Sequence, residues 1–308
     1  MKTIIVEKNK NNISAINYIL DKFPNLPKAS LFKALRNKDI KVNGKRINKD
    51  VIVNENDKID IYISDTVLFN LPKKIEYIYD DENIAIVYKP QGILSNNEGK
   101  DIIEPTLDDL VKKEHPEYII CHRLDRNTSG LLIFAKNDDI NQEIQSGFKN
   151  NCITKEYISY VSNYNFSKNE DTITNYIDIN KKSGIAKIYD ENNNKRNFKK
   201  ITTSYKVLYT SKKRNYGIVK VLIHNGKTHQ IRSVLSHINH PIIGDPKYGK
   251  NEVNKTFKKY KQLLFAVRYK FNFNENSKLY YLKNKDILLD DNYYKNYIGD
   301  IYEKVTKC

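Results

Sequence analysis

Residues 198–224, FKKITTSYKVLYTSKKRNYGIVKVLIH, alternate apolar and polar side chains on both sides of a Lys-Lys-Arg-Asn tip. Alternation with period two is the signature of a strand, so the segment reads as a hairpin of two long strands. A lone hairpin is marginal in water, and this one requires more strands to cover its apolar face. The chain supplies them. IEYIYDDENIAIVYKPQG reads as two strands joined at Asp80–Asn83 and ending at Pro90–Gly92. YIIC is a short strand whose last inward residue is Cys121, and GLLIFAK, NCITKEYISYVSN and QLLFAVRYKFNF are strands. PTLDDLVKKEHP, NDDINQEIQSGFKN and KTHQIRSVLSHI read as helices between them, and the polar stretch 163–199 as irregular apart from a strand at SGIAKIY. No regular βαβ repeat, Walker loop or G-x-G-x-x-G is present, which argues against nucleotide-binding folds. The expected class is α+β, a mixed and largely antiparallel sheet with flanking helices, behind a small helical and hairpin domain.

That front domain is expected at residues 1–66. ISAINYILDKF places Ile13, Ile16, Ile19, Leu20 and Phe23 on one helical face, capped by Asn12 or Ser14. KASLFKALRNKDI gives a second helix, IKVNGKRIN a hairpin with an Asn-Gly turn, and DKIDIYI a closing strand. The segment carries 13 Lys and Arg against 8 Asp and Glu. Two short helices, a basic second helix, KVNGKRINKD and NDKIDIYI together resemble the small RNA-binding domain shared by ribosomal protein S-four and several RNA-modifying enzymes. The resemblance implies phosphate contacts from Lys28, Lys33, Arg36, Lys38, Lys41, Lys45 and Arg46. TVLFNLPKKIE is read as a linker, residues 67–75, and the remaining 76–308 as the catalytic domain.

The whole chain of 308 residues has a formal net charge of +16. That excess favours a polyanionic partner, RNA, DNA or an anionic membrane surface. A chain rich in Lys, Asn, Ile and Tyr also has the bias of an AT-rich coding sequence, which raises lysine without any partner. No stretch approaches the roughly 20 apolar residues needed to span a bilayer, and the polar N-terminus does not read as a signal peptide. Cys121, Cys152 and Cys308 are too few and too scattered for a disulfide framework or zinc ribbon. A cytoplasmic setting is expected.

Three polar clusters carry candidate chemistry. His122-Arg123-Leu124-Asp125 with Thr128-Ser129-Gly130 runs straight into the apolar strand LLIFA; Lys155-Glu156-Tyr157 lies on another strand; NGKTHQIRSVLSHINHPIIGDPKYG spans 225–249, with Lys227, His229, Gln230 and Arg232 in the first turns of a helix after Gly226. A triad of Ser129, His229 and Asp245 lacks the G-x-S-x-G elbow. A metal on His229, His237 and His240 lacks H-E-x-x-H or a cysteine partner. A lone carboxylate nucleophile flanked by cations remains. Carboxylates attack sugar anomeric carbons, and glycosidases normally pair two of them, whereas no second carboxylate is read as available here. A single-aspartate enzyme acting on the glycosidic bond of a nucleic acid fits both the charge and the loop.

HRLDRNTSGLLIFAK resembles the signature of the RluA-type pseudouridine synthases. VYKPQGI is similar to their first motif, KEYISYV to their tyrosine-bearing strand and GKTHQIRSVLSHINHPIIGDPKYG to their third, in the family's order from about 76 to 270. The resemblance implies that Asp125 attacks the target uridine, so that uracil detaches, turns and rejoins through C5. It implies that Tyr157 packs on the base, that Arg232 pairs with Asp125, and that Arg123 fills the space left by the flipped uridine. His122, Arg123, Thr128, Lys227, His229 and Gln230 would contact substrate. No cofactor or metal is implied. The expected partner is structured RNA, ribosomal and of the large subunit before transfer RNA, and the expected state a monomer. The rivals are a non-catalytic RNA-binding or ribosome-assembly protein and a base glycosylase. Lys227 replaces a usual Arg, Phe265 a common His, and Ser95-Asn96-Asn97 a usual His-Pro; these departures bear on substrate fit.

Overall fold

The computed structural model describes residues 1–97, 104–180, 183–191, 198–224 and 226–299. They form two compact units, one of residues 1–75 with 97 and 104–106, the other of the described residues within 76–96 and 107–299. The front unit runs β1 (Lys2–Ile5), β2 (Ile13–Ser14), α1 (Ala15–Lys22), α2 (Lys28–Arg36), β3 (Ile40–Val42), β4 (Lys45–Ile47), β5 (Ile52–Val53), β6 (Lys58–Ile61) and α3 (Asp65–Leu68). Ser14 caps α1 by accepting the amide of Asn17. Its buried face is Ala15, Tyr18, Ile19 and, just past its end, Phe23, with Ile16 and Leu20 only half buried. The expected stripe is therefore rotated toward Tyr18, whose hydroxyl donates to Ile5 O and accepts from Glu7 N. Asn43 and Gly44, both at positive φ, make the tight turn of β3 and β4.

Two expectations change here. The N-terminal residues, too few for a clear alternation, form β1 on the edge of a sheet ordered β1-β6-β3-β4. The segment read as a linker begins as α3, and Leu68 and Phe69 are buried in the front core with Phe23 packed edge-on to Phe69. Folded structure thus continues past residue 66.

The second unit runs β7 (Tyr77–Asp80), β8 (Ile84–Lys89), α4 (Leu107–Glu114), β9 (Ile119–Ile120), β10 (Ser129–Ala135), α5 (Asp138–Lys149), β11 (Ile153–Ser162), β12 (Glu170–Asn180), β13 (Ile185–Tyr189), β14 (Lys199–Ser211), β15 (Tyr216–Ile223), α6 (Gln230–His237), α7 (Asn251–Thr256), β16 (Leu264–Phe271), β17 (Asp286–Leu288) and α8 (Asn292–Ile298). Its sheet is ordered β13-β12-β14-β15-β11-β16-β10-β8-β7, with β17 on β16 and β9 on β10. Every described pairing is antiparallel except β10 with β16. The α+β, largely antiparallel expectation is met. The irregular reading of 163–199 is not, because β12 spans eleven residues of it.

Register positions the site. Tyr157 of β11 lies opposite Ala266 of β16, and Ala266 lies opposite Gly130 of β10. One row across three strands therefore sets Tyr157 against the start of β10, about 10 Å away at the usual strand spacing. Gly130 has φ 125°, and a Cβ there would sit 2.1 Å from the Ala266 carbonyl oxygen, so only glycine lets β10 join β16 directly behind the polar loop. Among the described residues no helix is long and apolar enough to cross a membrane.

Candidate active site

The loop between β9 and β10 is built from below. Lys89, at the end of β8, is fully buried, and its Nζ donates to the carbonyls of Pro90, Arg126 and Thr128 at 3.2, 3.0 and 2.9 Å. Burial pushes its pKa down to about 7, against the pull of the nearby Asp125 charge. Ser95 braces the loop from the other side. Its hydroxyl donates to Leu124 O and accepts from Leu124 N, both at 2.9 Å. The departure from His-Pro at this point thus supplies a serine that holds the residue beside Asp125. Replacing Lys89 by Met should leave three inward carbonyls without their donor. We expect a net loss of about 2 kcal/mol in denaturant unfolding, together with a large fall in turnover.

Asp125 faces a cavity of about 290 Å³ whose wall includes Tyr157, Lys155 and Leu264. Arg232 on α6 reaches it from the opposite side. Its Nη1 donates to Asp125 Oδ2 at 2.8 Å, while Nε and Nη2 form a two-point clamp on Asp245 at 2.7 and 2.9 Å. Asp245 is fully buried and also accepts the amides of Lys247 and Tyr248. One planar guanidinium therefore spans two carboxylates, a task its fork suits and a lysine ammonium does not. Burial alone would lower the pKa of Arg232, but hydrogen bonds and charge from Asp245, then Asp125, raise it instead. Asp245, weighed from the sequence only as a triad member, is a second carboxylate at the site. Locked on Arg232, it is no second acid for the cavity.

His229 stands at the N-terminus of α6 in the left-handed region, φ 58°. The helix starts at Gln230, so Lys227 lies before it rather than in its first turn. His229 Nδ1 is 2.9 Å from the Tyr248 hydroxyl, which accepts the Ala186 amide at 2.7 Å. Its Nε2 lies 3.8 Å from Asp125 Oδ2. Burial lowers its pKa, partly countered by Asp125. With Nδ1 facing Tyr248 and Asp245 facing Arg232, the Ser129-His229-Asp245 triad does not form. His237 instead contacts Asp190, and His240 stacks on Phe166. Among the described residues no cluster of His, Cys, Asp and Glu is placed to hold a metal ion.

Tyr157 is buried on β11, and burial, with Asp125 adding to it, raises its phenol well above the ordinary value. The hydroxyl therefore stays protonated through the neutral range. Asp125, Tyr157 and Arg232 are brought together as the resemblance implied. The other candidates divide. Arg123 is exposed at the cavity, and Lys227 and His229 line it. His122 is tied into the sheet: its Nε2 lies 3.2 Å from the Ile133 amide nitrogen and 2.8 Å from the Tyr269 hydroxyl. Gln230 holds its own loop, accepting the Lys227 amide and donating to Thr202 O and Thr203 Oγ1. Thr128 is buried, its hydroxyl accepting from Gln262. His122, Gln230 and Thr128 thus reach the cavity edge while their polar atoms serve the scaffold. Burial pushes the Cys121 thiol up to about 12, which leaves it inert at neutral pH. Asn225 and Cys308 lie outside the described residues.

Comparison with known proteins settles the family. The RNA pseudouridylate synthase family matches residues 83–237. A protein of Mycoplasma capricolum subsp. capricolum named as an uncharacterized RNA pseudouridine synthase is 32% identical, the match covering 94% of this chain and 97% of that one. The chain belongs to the RNA pseudouridylate synthase family. It is an isomerase that acts on RNA. A ribosomal large subunit pseudouridine synthase C of Rickettsia bellii is 33% identical over 77% of this chain and 82% of its own. The solved structure of human RNA pseudouridylate synthase domain containing 1 shares the fold with a TM-score of 0.57 at 20% identity, over 73% of this chain and 86% of that one. The family match begins one residue before β8 and ends with α6, so it takes in the β9–β10 loop with Asp125, β11 with Tyr157 and α6 with Arg232.

Proposed function

We propose that this pseudouridylate synthase converts specific uridines of large-subunit ribosomal RNA to pseudouridine, with Asp125 as the nucleophile. The observation that carries the reading is the 2.8 Å contact from Arg232 Nη1 to an Asp125 carboxylate opening on the cavity that Tyr157 walls. The guanidinium orients one carboxylate oxygen and leaves the other for the sugar. A uridine turned out of its stack needs an apolar or aromatic wall, and Tyr157 offers its ring there. Arg123, exposed at the mouth, is suited to fill the vacated stack. The Rickettsia relative's name supports a ribosomal target, and the net charge of +16 suits any large RNA. The reaction needs no cofactor, and we place the enzyme in the cytoplasm as a monomer. Pseudouridine mapping by carbodiimide-stop sequencing, with and without the gene, tests this directly. A lost stop in large-subunit RNA supports it; losses confined to transfer RNA redirect the substrate, and unchanged maps refute it.

The front unit is proposed to dock RNA in the manner of the ribosomal-protein-S-four-like domain it resembles. Lys28, Lys33, Arg36, Lys38, Lys45 and Arg46 are exposed and Lys41 half buried, and none is in ion-pair range of a carboxylate among the described residues. Lys41 and Arg46 lie 5.1 and 5.7 Å from the ring centre of the partly exposed Tyr62. Because Leu68 and Phe69 belong to this core, substitution tests it better than truncation at 66. Changing Lys33, Arg36, Lys45 and Arg46 to Gln should reduce the slope of log affinity against log salt by about 3, while the rate at saturating RNA holds. An unchanged slope would remove these residues from the interface.

A further inference from the structure

Among the cations that line the cavity is one, Lys155, to which the reading above gives no role. Lys155 precedes Tyr157 by two residues on β11, and both line the cavity with Asp125. Its Nζ lies 4.0 Å from the centre of the Phe148 ring, and a side chain on Gly226 would meet it at 3.7 Å. Among the described residues it has neither an ion pair nor a hydrogen-bond acceptor. The contrast with its neighbours is sharp: Arg232 holds two carboxylates and Lys89 three carbonyls. Burial, with no carboxylate to offset it, pushes the Lys155 pKa down to about 8. A partly buried ammonium without an acceptor is unfavourable in the free protein, and such unbalanced groups cluster where a ligand completes them.

Resting on the pseudouridine reading, we propose that Lys155 donates a hydrogen bond to a carbonyl oxygen of the target uracil and stabilises the charge that the base acquires as it leaves the sugar. When the C1′–N1 bond breaks, its electron pair departs with the base and spreads onto O2 and O4, while an Asp125 oxygen bonds to C1′. The ammonium keeps its proton throughout. The base then turns, C5 bonds to C1′, and Asp125 leaves with its pair as a carboxylate. C5 gives up its proton to a base and N1 takes one from water, so nothing is oxidised or lost. Two positions along a strand span about 7 Å, the distance at which a pyrimidine packed on Tyr157 brings an edge to Lys155. Lys155 sits between the Phe148 ring and the Gly226 backbone and lines the cavity with the buried Cys121 and the half-buried His122. That enclosure favours the base over a phosphate, which stays with the solvated backbone of the RNA. Gly226, lacking a side chain, leaves the ammonium clear on the cavity side.

Single-turnover rates at saturating RNA, RNA dissociation constants and thermal midpoints of Lys155→Met and Lys155→Arg test the proposal. Lys155→Met should be slower by about 10²-fold, the usual effect of removing one donor to developing charge, with affinity within about threefold. Its midpoint should stay or rise, since an unpaired cation leaves an apolar wall. Lys155→Arg should recover part of the rate. A wild-type rate in Lys155→Met overturns the proposal, and weakened affinity beside it would assign the lysine to a phosphate. A slow rate explained by a lowered midpoint overturns it too, as a structural role. Pseudouridine formed by the unmodified enzyme on the same RNA reports the underlying function separately.

Discussion

Asp125→Asn should give a folded protein that binds RNA and forms no pseudouridine. The amide is nearly isosteric with the carboxylate, and its oxygen can still accept from Arg232 Nη1. The loop carbonyls held by Lys89 and the Leu124 amide held by Ser95 are untouched. Affinity should therefore survive, because it comes mainly from phosphate and shape contacts. What vanishes is the anionic oxygen, and loss of a nucleophile typically lowers kcat by a factor of order 10⁴ or more. Tritium release from C5-labelled RNA reads the outcome. Asp125→Glu extends the test: it keeps the charge but moves it about 1 Å, a displacement that can cost about 10²-fold. A wild-type rate in the Asn variant would remove Asp125 from the reaction.

Arg232→Ala should be damaging twice over. It strands Asp245, fully buried and clamped by two nitrogens, as well as the more open Asp125. Breaking a buried pair by deleting one partner costs about 3–5 kcal/mol, so the variant should melt well below the native protein. Arg232→Lys separates stability from chemistry. One ammonium can approach either carboxylate but cannot bridge both. The buried Asp245, with no water to replace its partner, should win it. Stability should then return in large part while the single-turnover rate stays depressed. Asp245→Asn gives the converse pattern, since Arg232 loses its anchor but retains Asp125. A full rate in Arg232→Lys would show that Asp125 does not depend on the guanidinium.

Of the three groups central to these tests, only Asp125, a lone carboxylate flanked by cations, stands out from the residues themselves; Tyr157 and Arg232 are legible only through the family resemblance of the motifs that hold them. Their supports were less so. Lys89 stands within VYKPQGI and Asp245 within GDPKYG, yet no periodicity tells that the lysine turns under a loop 37 positions later or that the aspartate meets a helix before it. Such pairings are set by tertiary packing. The long strands were visible wherever one face is apolar. β12 is harder to read from sequence because its inward row, Asp171, Ile173, Asn175, Ile177 and Ile179, mixes polar with apolar residues and its outward row includes Tyr176, so the alternation is one of shape more than of hydropathy. The start of α6 was misplaced because His229 adopts positive φ, a conformation that sequence propensity assigns chiefly to Gly, Asn or Asp. Gln230 and Thr128 looked like ligands because polar residues beside a nucleophile resemble ligands whichever way they point.

The parallel join of β10 to β16 has a temporal consequence. The strand carrying Ala266 is what aligns Tyr157 with Gly130, and it is the last of the long strands to leave the ribosome. Non-local pairings of this kind are slow to form, and chains fold from the N-terminus as they are synthesised. A nascent chain therefore acquires its basic front unit early and its aligned nucleophile late. With the roles proposed above, the front unit would hold RNA before the chain can alter it.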